Sequence, residues 1–170
     1  MEKPNPALPE PWLRGSLQEL PAVPRAVLHA LESAKEDLWK WCFPLSSEQL
    51  HQQAGELASV AFHLRHVARS LDRLLTYAEG HALGDAQLAI LKSEAEPGAS
   101  HDEVFSELSG AFRRSEKRVR QLANANFESP RSVGKKQLPT TLGGLLVHVA
   151  DHTMRHVGQA IITAKVVAKR

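Results

Sequence analysis

Between residues 57 and 78 the apolar side chains Leu57, Val60, Leu64, Val67, Leu71, Leu74 and Ala78 recur at alternating steps of three and four. That rhythm puts one continuous apolar seam along a helix and is incompatible with a strand, whose faces repeat every two residues. A helix with one such seam has to bury it against other helices or a sheet. The rest of the chain supplies helices. No segment shows convincing period-two alternation, and no internal repeat is present.

Three further segments carry helical patterning. RAVLHALESAKEDLWKWC follows Pro24, a residue tolerated in a first helical turn, and stops before Pro44. Val27, Leu28, Leu31, Ala34, Leu38 and Trp41 give it one apolar face. The seam helix itself is predicted over about 56–79, with Gly80 as its stop. Ser100 followed by Glu103 reads as a capping box that opens a third helix fading near Asn124. The fourth starts at Thr140 or Thr141 and runs almost to the last residue, with Leu142, Leu145, Leu146, Val149, Val157, Ala160, Ile161, Ala164 and Val167 facing inward.

The connections differ in character. Residues 45–55 form a polar link, and 125–139 a loop with Pro130, Gly134 and Pro139. Residues 80–100 form a long crossing segment with a short helix expected around Asp85–Leu91 and a turn at Glu96-Pro97-Gly98. Five prolines in residues 1–21 make that stretch an extended arm. Trp12, Leu13, Leu17 and Leu20 suit it for packing on a surface. The expected architecture is all-α: a four-helix bundle over 22–170, with a long crossover between helices two and three and a Pro-rich N-terminal arm over 1–21.

At 170 residues the chain is long enough for a single domain with a real core. Its net charge of +2 favours no partner class. Arg113, Arg114, Lys117, Arg118 and Arg120 are interleaved with Glu116 and read as a solvated helix face, so no nucleic-acid partner is expected. The single cysteine, Cys42, lies between Trp41 and Phe43 as a buried structural thiol and fits a reducing compartment. The first ten residues hold three prolines and no apolar core of a signal peptide. No apolar run approaches the ~20 residues of a membrane span. A cytoplasmic protein without membrane association is expected.

Nine histidines are present, and His148, His152 and His156 share one stripe of the fourth helix. Two imidazoles one turn apart can grip a transition metal, and a third ligand from the helix carrying His63 and His66 would leave positions open for water or substrate. On a wheel of ~100° per residue, His156 falls at the edge of the apolar face, His152 farther round on the same side, and His148 near the polar face. On the second helix the wheel favours His63 as the inward member. It leaves His66, near Phe62, Arg69 and Arg73, for an outer groove. Both His66 and the His152/His156 pair sit about halfway along their helices and can share a layer.

Other chemistries fit poorly. HVADH has Val149 where a zinc-protease motif needs glutamate. There is no Gly-rich phosphate loop and no Walker lysine. A di-iron site needs inward glutamates, whereas Glu56 and Glu103 stand near helix starts and Glu79 near an end.

SVAFHLRHVARSLDRLLTYAEG (59–80) and LLVHVADHTMRHVGQAI (145–161) together resemble the second and last helices of the DinB/YfiT-like superfamily of metal-binding four-helix bundles. The resemblance covers about residues 24–167 and extends to the long crossover. It implies a divalent metal, Zn²⁺, Ni²⁺ or Fe²⁺, held by His66, His152 and His156. Ser59 and the Leu64–Val67 context set that register, against the wheel's preference for His63. Val157 departs from the arginine of many relatives, with Arg155 nearby instead. The resemblance further implies a metal-dependent enzyme acting on a small-molecule substrate with a low-molecular-weight thiol, as a thiol S-transferase or a related hydrolase. The alternative it leaves is a non-catalytic metal-binding or dimerisation module of a stress-related DinB-like protein. Trp12, Leu13 and the Trp39-Lys40-Trp41 run cannot all easily face one core, so a homodimer is expected.

Overall fold

The computed structural model describes residues 8–93 and 98–169. They are mostly helical, in the order 3₁₀ turn Pro11–Leu13, α1 (Ala22–Trp41), α2 (Ser47–His51), α3 (Val60–Ala78), α4 (Asp85–Lys92), α5 (His101–Gln121), β1 (Pro130–Val133), β2 (Leu138–Thr141) and α6 (Leu142–Val167). Residues 1–7 of the arm, and Glu96 and Pro97 of the expected turn, lie outside the described residues.

Each long helix starts where the local chemistry permits. Ser59 Oγ accepts from the Phe62 N–H and sets the first turn of α3. Ser100 and Glu103 form the reciprocal capping box of α5. Thr141 Oγ1 accepts from the Gly144 N–H at the start of α6. Such caps satisfy donors that the helix cannot, and each contributes about 0.5–2 kcal/mol. At the end of α3, Gly80 takes a φ of +87°, and the His81 N–H reaches back to the Thr76 carbonyl at 3.0 Å. That turn needs the left-handed region that glycine occupies at no steric cost.

The four long helices pack side by side. α6 lies against α1 and α3, and α3 also against α5, with a thinner α1–α5 contact. Their directions follow from paired residues. Lys165 near the end of α6 sits over the Trp41 ring at the end of α1, so these two run together. Arg69 reaches Glu107 and Arg118 reaches Glu79, so α3 and α5 also run together. His63 meets His156 while His66 meets His152, so α3 and α6 run oppositely. Parallel neighbours cannot be joined by a tight turn, which is the physical reason for the long 79–100 crossover.

The core takes Val60, Leu64, Val67, Leu71 and Leu75 from α3, with Leu38, Leu108, Leu146 and Val149 from the other helices. Thr153 and Ala160 are buried on α6, at the centre of the face that the wheel marks as inward. Leu57, expected in the seam, is 46% exposed because the Ser59 cap starts the helix after it. Residues 45–55 contain one short helix, α2, opened by a Ser46–Gln49 capping box within an otherwise polar sequence. Cys42 is fully buried, and burial pushes its thiol up to about 12, so it is an inert packing residue.

The expectation of a strand-free chain is corrected at 130–141. β1 and β2 form an antiparallel hairpin with Pro130 opposite Thr141 and Val133 opposite Leu138. The strands have four residues each, lack a continuous apolar face, and each contains a proline, so hydrophobic periodicity could not reveal them. The hairpin ends directly in α6. The N–H groups of Leu142 and Gly143 donate to the carbonyls of Ser129 and Phe127 at 2.9 and 2.8 Å. A Cβ at Gly143 would stand 3.2 Å from both Cβ and O of Phe127, so the close approach depends on glycine. These contacts tie the first turn of α6 to the hairpin.

The described part of the arm folds back on its own helices. Arg14 grips both carboxylate oxygens of Glu36 at 2.6 and 2.8 Å, and Glu19 accepts from Arg120 of α5. Leu17 and Leu20 pack on the core between these ties. Trp12 and Leu13 remain 61% and 56% exposed.

Candidate metal centre

The α3–α6 seam lines up two histidine pairs. One turn after the Ser59 cap, His63 sets its Nδ1 3.1 Å from the Nδ1 of His156. Three residues farther along α3, His66 sets its Nε2 3.3 Å from the Nε2 of His152. The ring centres of His66 and His156 are 4.3 Å apart, those of His152 and His156 4.7 Å. His66, His152 and His156 each offer a nitrogen within 4.8 Å of the other two, a group that could hold a metal ion. Two nitrogens each about 2.1 Å from one ion at a tetrahedral angle stand about 3.4 Å apart, so the His66–His152 separation matches a shared ion.

The surroundings keep these imidazoles ready to donate lone pairs. Burial, followed by the charges of His66, His148, Arg155 and Arg73, lowers His152 to about 4. Burial, and then His66, His152 and His63, lower His156 to about 4 as well. Both are therefore neutral at pH 7, the form that coordinates. His152 Nδ1 is buried without a hydrogen-bond partner. Phe62 lies nearly parallel to the His66 ring, 17° off at 5.6 Å, and restricts its rotation. Arg65 and Arg69, on either side of His66 in sequence, turn to Glu107 on α5, at 3.5 and 2.7 Å. A set of three imidazole ligands suits Zn²⁺, Ni²⁺ or Fe²⁺ and leaves coordination positions for another molecule.

The remaining histidines separate clearly from this group. His148 is exposed, 3.8 Å from Asp151, with its ring 5.5 Å from that of His152. His29 meets Ser16 Oγ, while His51 and His101 donate to the carbonyls of Ala99 and Phe43. These three tie loops to helices. His63, the wheel's choice, is indeed the more buried of the α3 pair, but its nitrogens fall outside the three-histidine group. The His63–His156 contact is the feature that sequence reasoning missed. The signal for it was the position of His63 at the border of the apolar stripe. Val157 is a core residue, whereas Arg155 stands exposed and pairs with Asp151 at 2.6 Å.

With this geometry belongs a family. A model of the DinB superfamily matches residues 30–160, and the chain belongs to that superfamily. No curated protein matches the sequence. Among the described residues no helix is long and apolar enough to cross a membrane.

Proposed function

We propose that this chain is a metal-dependent enzyme of the DinB-like type, a thiol S-transferase whose ion is held by His66, His152 and His156. The observation that carries the reading is the convergence of these three imidazoles from α3 and α6. The fold that holds them is read as a DinB-like four-helix bundle over 22–170, preceded by the Pro-rich arm over 1–21. A divalent ion held there lowers the pKa of a bound thiol and makes it a nucleophile at neutral pH.

The chain's own residues hold and orient. His152 and His156 share one face of α6, and Phe62 restricts the ring of His66. All three imidazoles are half-buried, at the edge of the core. In the transfer itself, the thiolate sulfur of a low-molecular-weight thiol attacks an electrophilic carbon of the small-molecule substrate. The S–C bond forms, the leaving group departs with its electron pair, and the thiol proton passes to solvent. A cytoplasmic location supplies the free thiols this needs.

A second reading is a non-catalytic metal-binding or dimerisation module of a stress-related protein. Trp12 and Leu13, exposed on an arm otherwise pinned to α1 and α5, favour a homodimer through that surface. The deciding experiment uses protein prepared without a histidine tag. Stoichiometric metal together with turnover of an alkyl halide that requires an added thiol supports the enzyme. Metal without turnover supports the module.

A further inference from the structure

His63 has no place in the three-histidine group, yet it is a 6% exposed imidazole whose Nδ1 lies 3.1 Å from the Nδ1 of a proposed ligand, His156. We propose that His63 is a positioning residue, which accepts the Nδ1 proton of His156 and so reserves the Nε2 lone pair of His156 for the ion. The inference rests on the reading that His66, His152 and His156 bind the metal.

A neutral imidazole has one N–H and one lone pair. A hydrogen bond between two Nδ1 atoms therefore needs the proton on one of them and a lone pair on the other. If His63 donates, His156 carries its proton on Nε2, and that nitrogen cannot coordinate. If His156 donates, its Nε2 is bare, and His63 carries its own proton on Nε2. Only the second arrangement is competent for metal. Coordination through Nε2 of His156 would select it, and His63 would in turn hold the ring at a fixed angle. Metal-bound histidines commonly donate their second N–H to a carboxylate or carbonyl, and loss of that partner typically lowers metal affinity 10–100-fold. Here another imidazole supplies the acceptor.

Burial gives the contact its persistence. His63 leaves α3 one turn after the Ser59 cap, with its ring edge-on to Phe62 at 5.4 Å and 73°. Phe62 also stacks on His66. One aromatic ring thus braces both the positioning histidine and a ligand. The antiparallel register of α3 and α6 brings the two pairs to successive layers, so a bound ion and the His63 contact occupy neighbouring levels of one seam.

The test is a Zn²⁺ titration, against a competing chelator near neutral pH, of the full untagged chain and its His63→Leu, His63→Asn and His66→Ala variants. Leucine keeps apolar bulk without an acceptor, whereas asparagine places Oδ1 where the imidazole had Nδ1. His63→Leu should weaken Zn²⁺ about 10–100-fold. His63→Asn should recover most of that loss, and His66→Ala should abolish tight binding. Unchanged thermal melts show that folding is not the cause. Equal weakening by leucine and asparagine, or wild-type affinity in both, overturns the positioning role while leaving the three-ligand site intact. If His63→Leu abolishes binding and His66→Ala retains it, His63 is itself the ligand and both assignments fall. Failure of the wild-type chain to take up Zn²⁺ removes the underlying site. As a second readout, ¹⁵N–¹H NMR of the Zn²⁺-loaded chain should find the proton of His156 on Nδ1. A proton on its Nε2 contradicts the proposal.

Discussion

His66 and His152 face each other across the α3–α6 seam with their Nε2 atoms 3.3 Å apart. At most one proton can occupy that space, so at least one nitrogen presents a lone pair to the other ring. With no proton between them both lone pairs are bare, and with His156 alongside they form a donor set that could hold a divalent ion.

Removing one ligand from a set of three should be decisive. His152→Ala and His156→Ala are each expected to lose tight Zn²⁺ binding, measured by titration against a chelator. His148→Ala should change affinity less than twofold to threefold or so, because His148 is exposed and stands beside His152 without joining the group. Loss of binding in His148→Ala alone would move the site one turn along α6.

The same histidines should make the metal-free protein acid-sensitive. His152 and His156 are lowered from an ordinary 6.5 to about 4, chiefly by burial. Between those values the unfolded chain binds more protons than the folded one, so stability falls as pH drops from 6.5 towards 4 and levels off below it. Urea unfolding should show the native state weaker at about pH 5 than at about pH 7. The dependence should shrink in the His152→Ala, His156→Ala double variant. A double variant with the full acid loss would assign that loss to carboxylates instead.

Arg118 joins α5 to α3 by donating to both Glu79 oxygens at 2.6 and 2.8 Å, to Asp72 at 2.8 Å and to Thr76 at 3.0 Å. Arg118→Ala removes the cation from the partly buried Glu79 carboxylate, while Asp72 keeps Gln87 at 2.6 Å, and should destabilise the chain by about 1–3 kcal/mol. Denaturant unfolding checks it. A stability unchanged within error would mean that solvent replaces the whole network.

Gly143 sits where the hairpin hands over to α6. Gly143→Ala brings a Cβ to 3.2 Å from the Phe127 carbonyl oxygen and Cβ. It should cost on the order of 1–3 kcal/mol as an overpacked contact, read in a thermal melt. If this contact sets the rotation of α6, Zn²⁺ affinity should also fall. Wild-type affinity together with the lower melting temperature would show that the histidine stripe is positioned by the core alone.

Periodicity was sufficient for the long helices because each buries one continuous stripe, as Leu64, Val67 and Leu71 do on α3. It failed where structure rests on hydrogen bonds without apolar pattern: the hairpin through Pro130 and Pro139, and α2 opened by Ser46 and Gln49. The apolar Leu57 extended the expected α3 too far back, since the Ser59 hydroxyl, a local polar signal, sets its start. At the site, the wheel ranked burial correctly, and His63 is the buried member. Burial and grouping part here: the half-buried His66, and not His63, is the residue grouped with His152 and His156. The register between α3 and α6 was needed to distinguish the two roles, and no spacing within one helix contains it.

One divalent ion per chain should be held by His66, His152 and His156. The most direct test is elemental analysis combined with a Zn²⁺ titration of the untagged full-length protein, wild type beside His152→Ala. The expected result is one ion per wild-type chain and none held tightly by the variant. A wild-type protein that binds no ion, or a variant that keeps the wild-type stoichiometry and affinity, would contradict it.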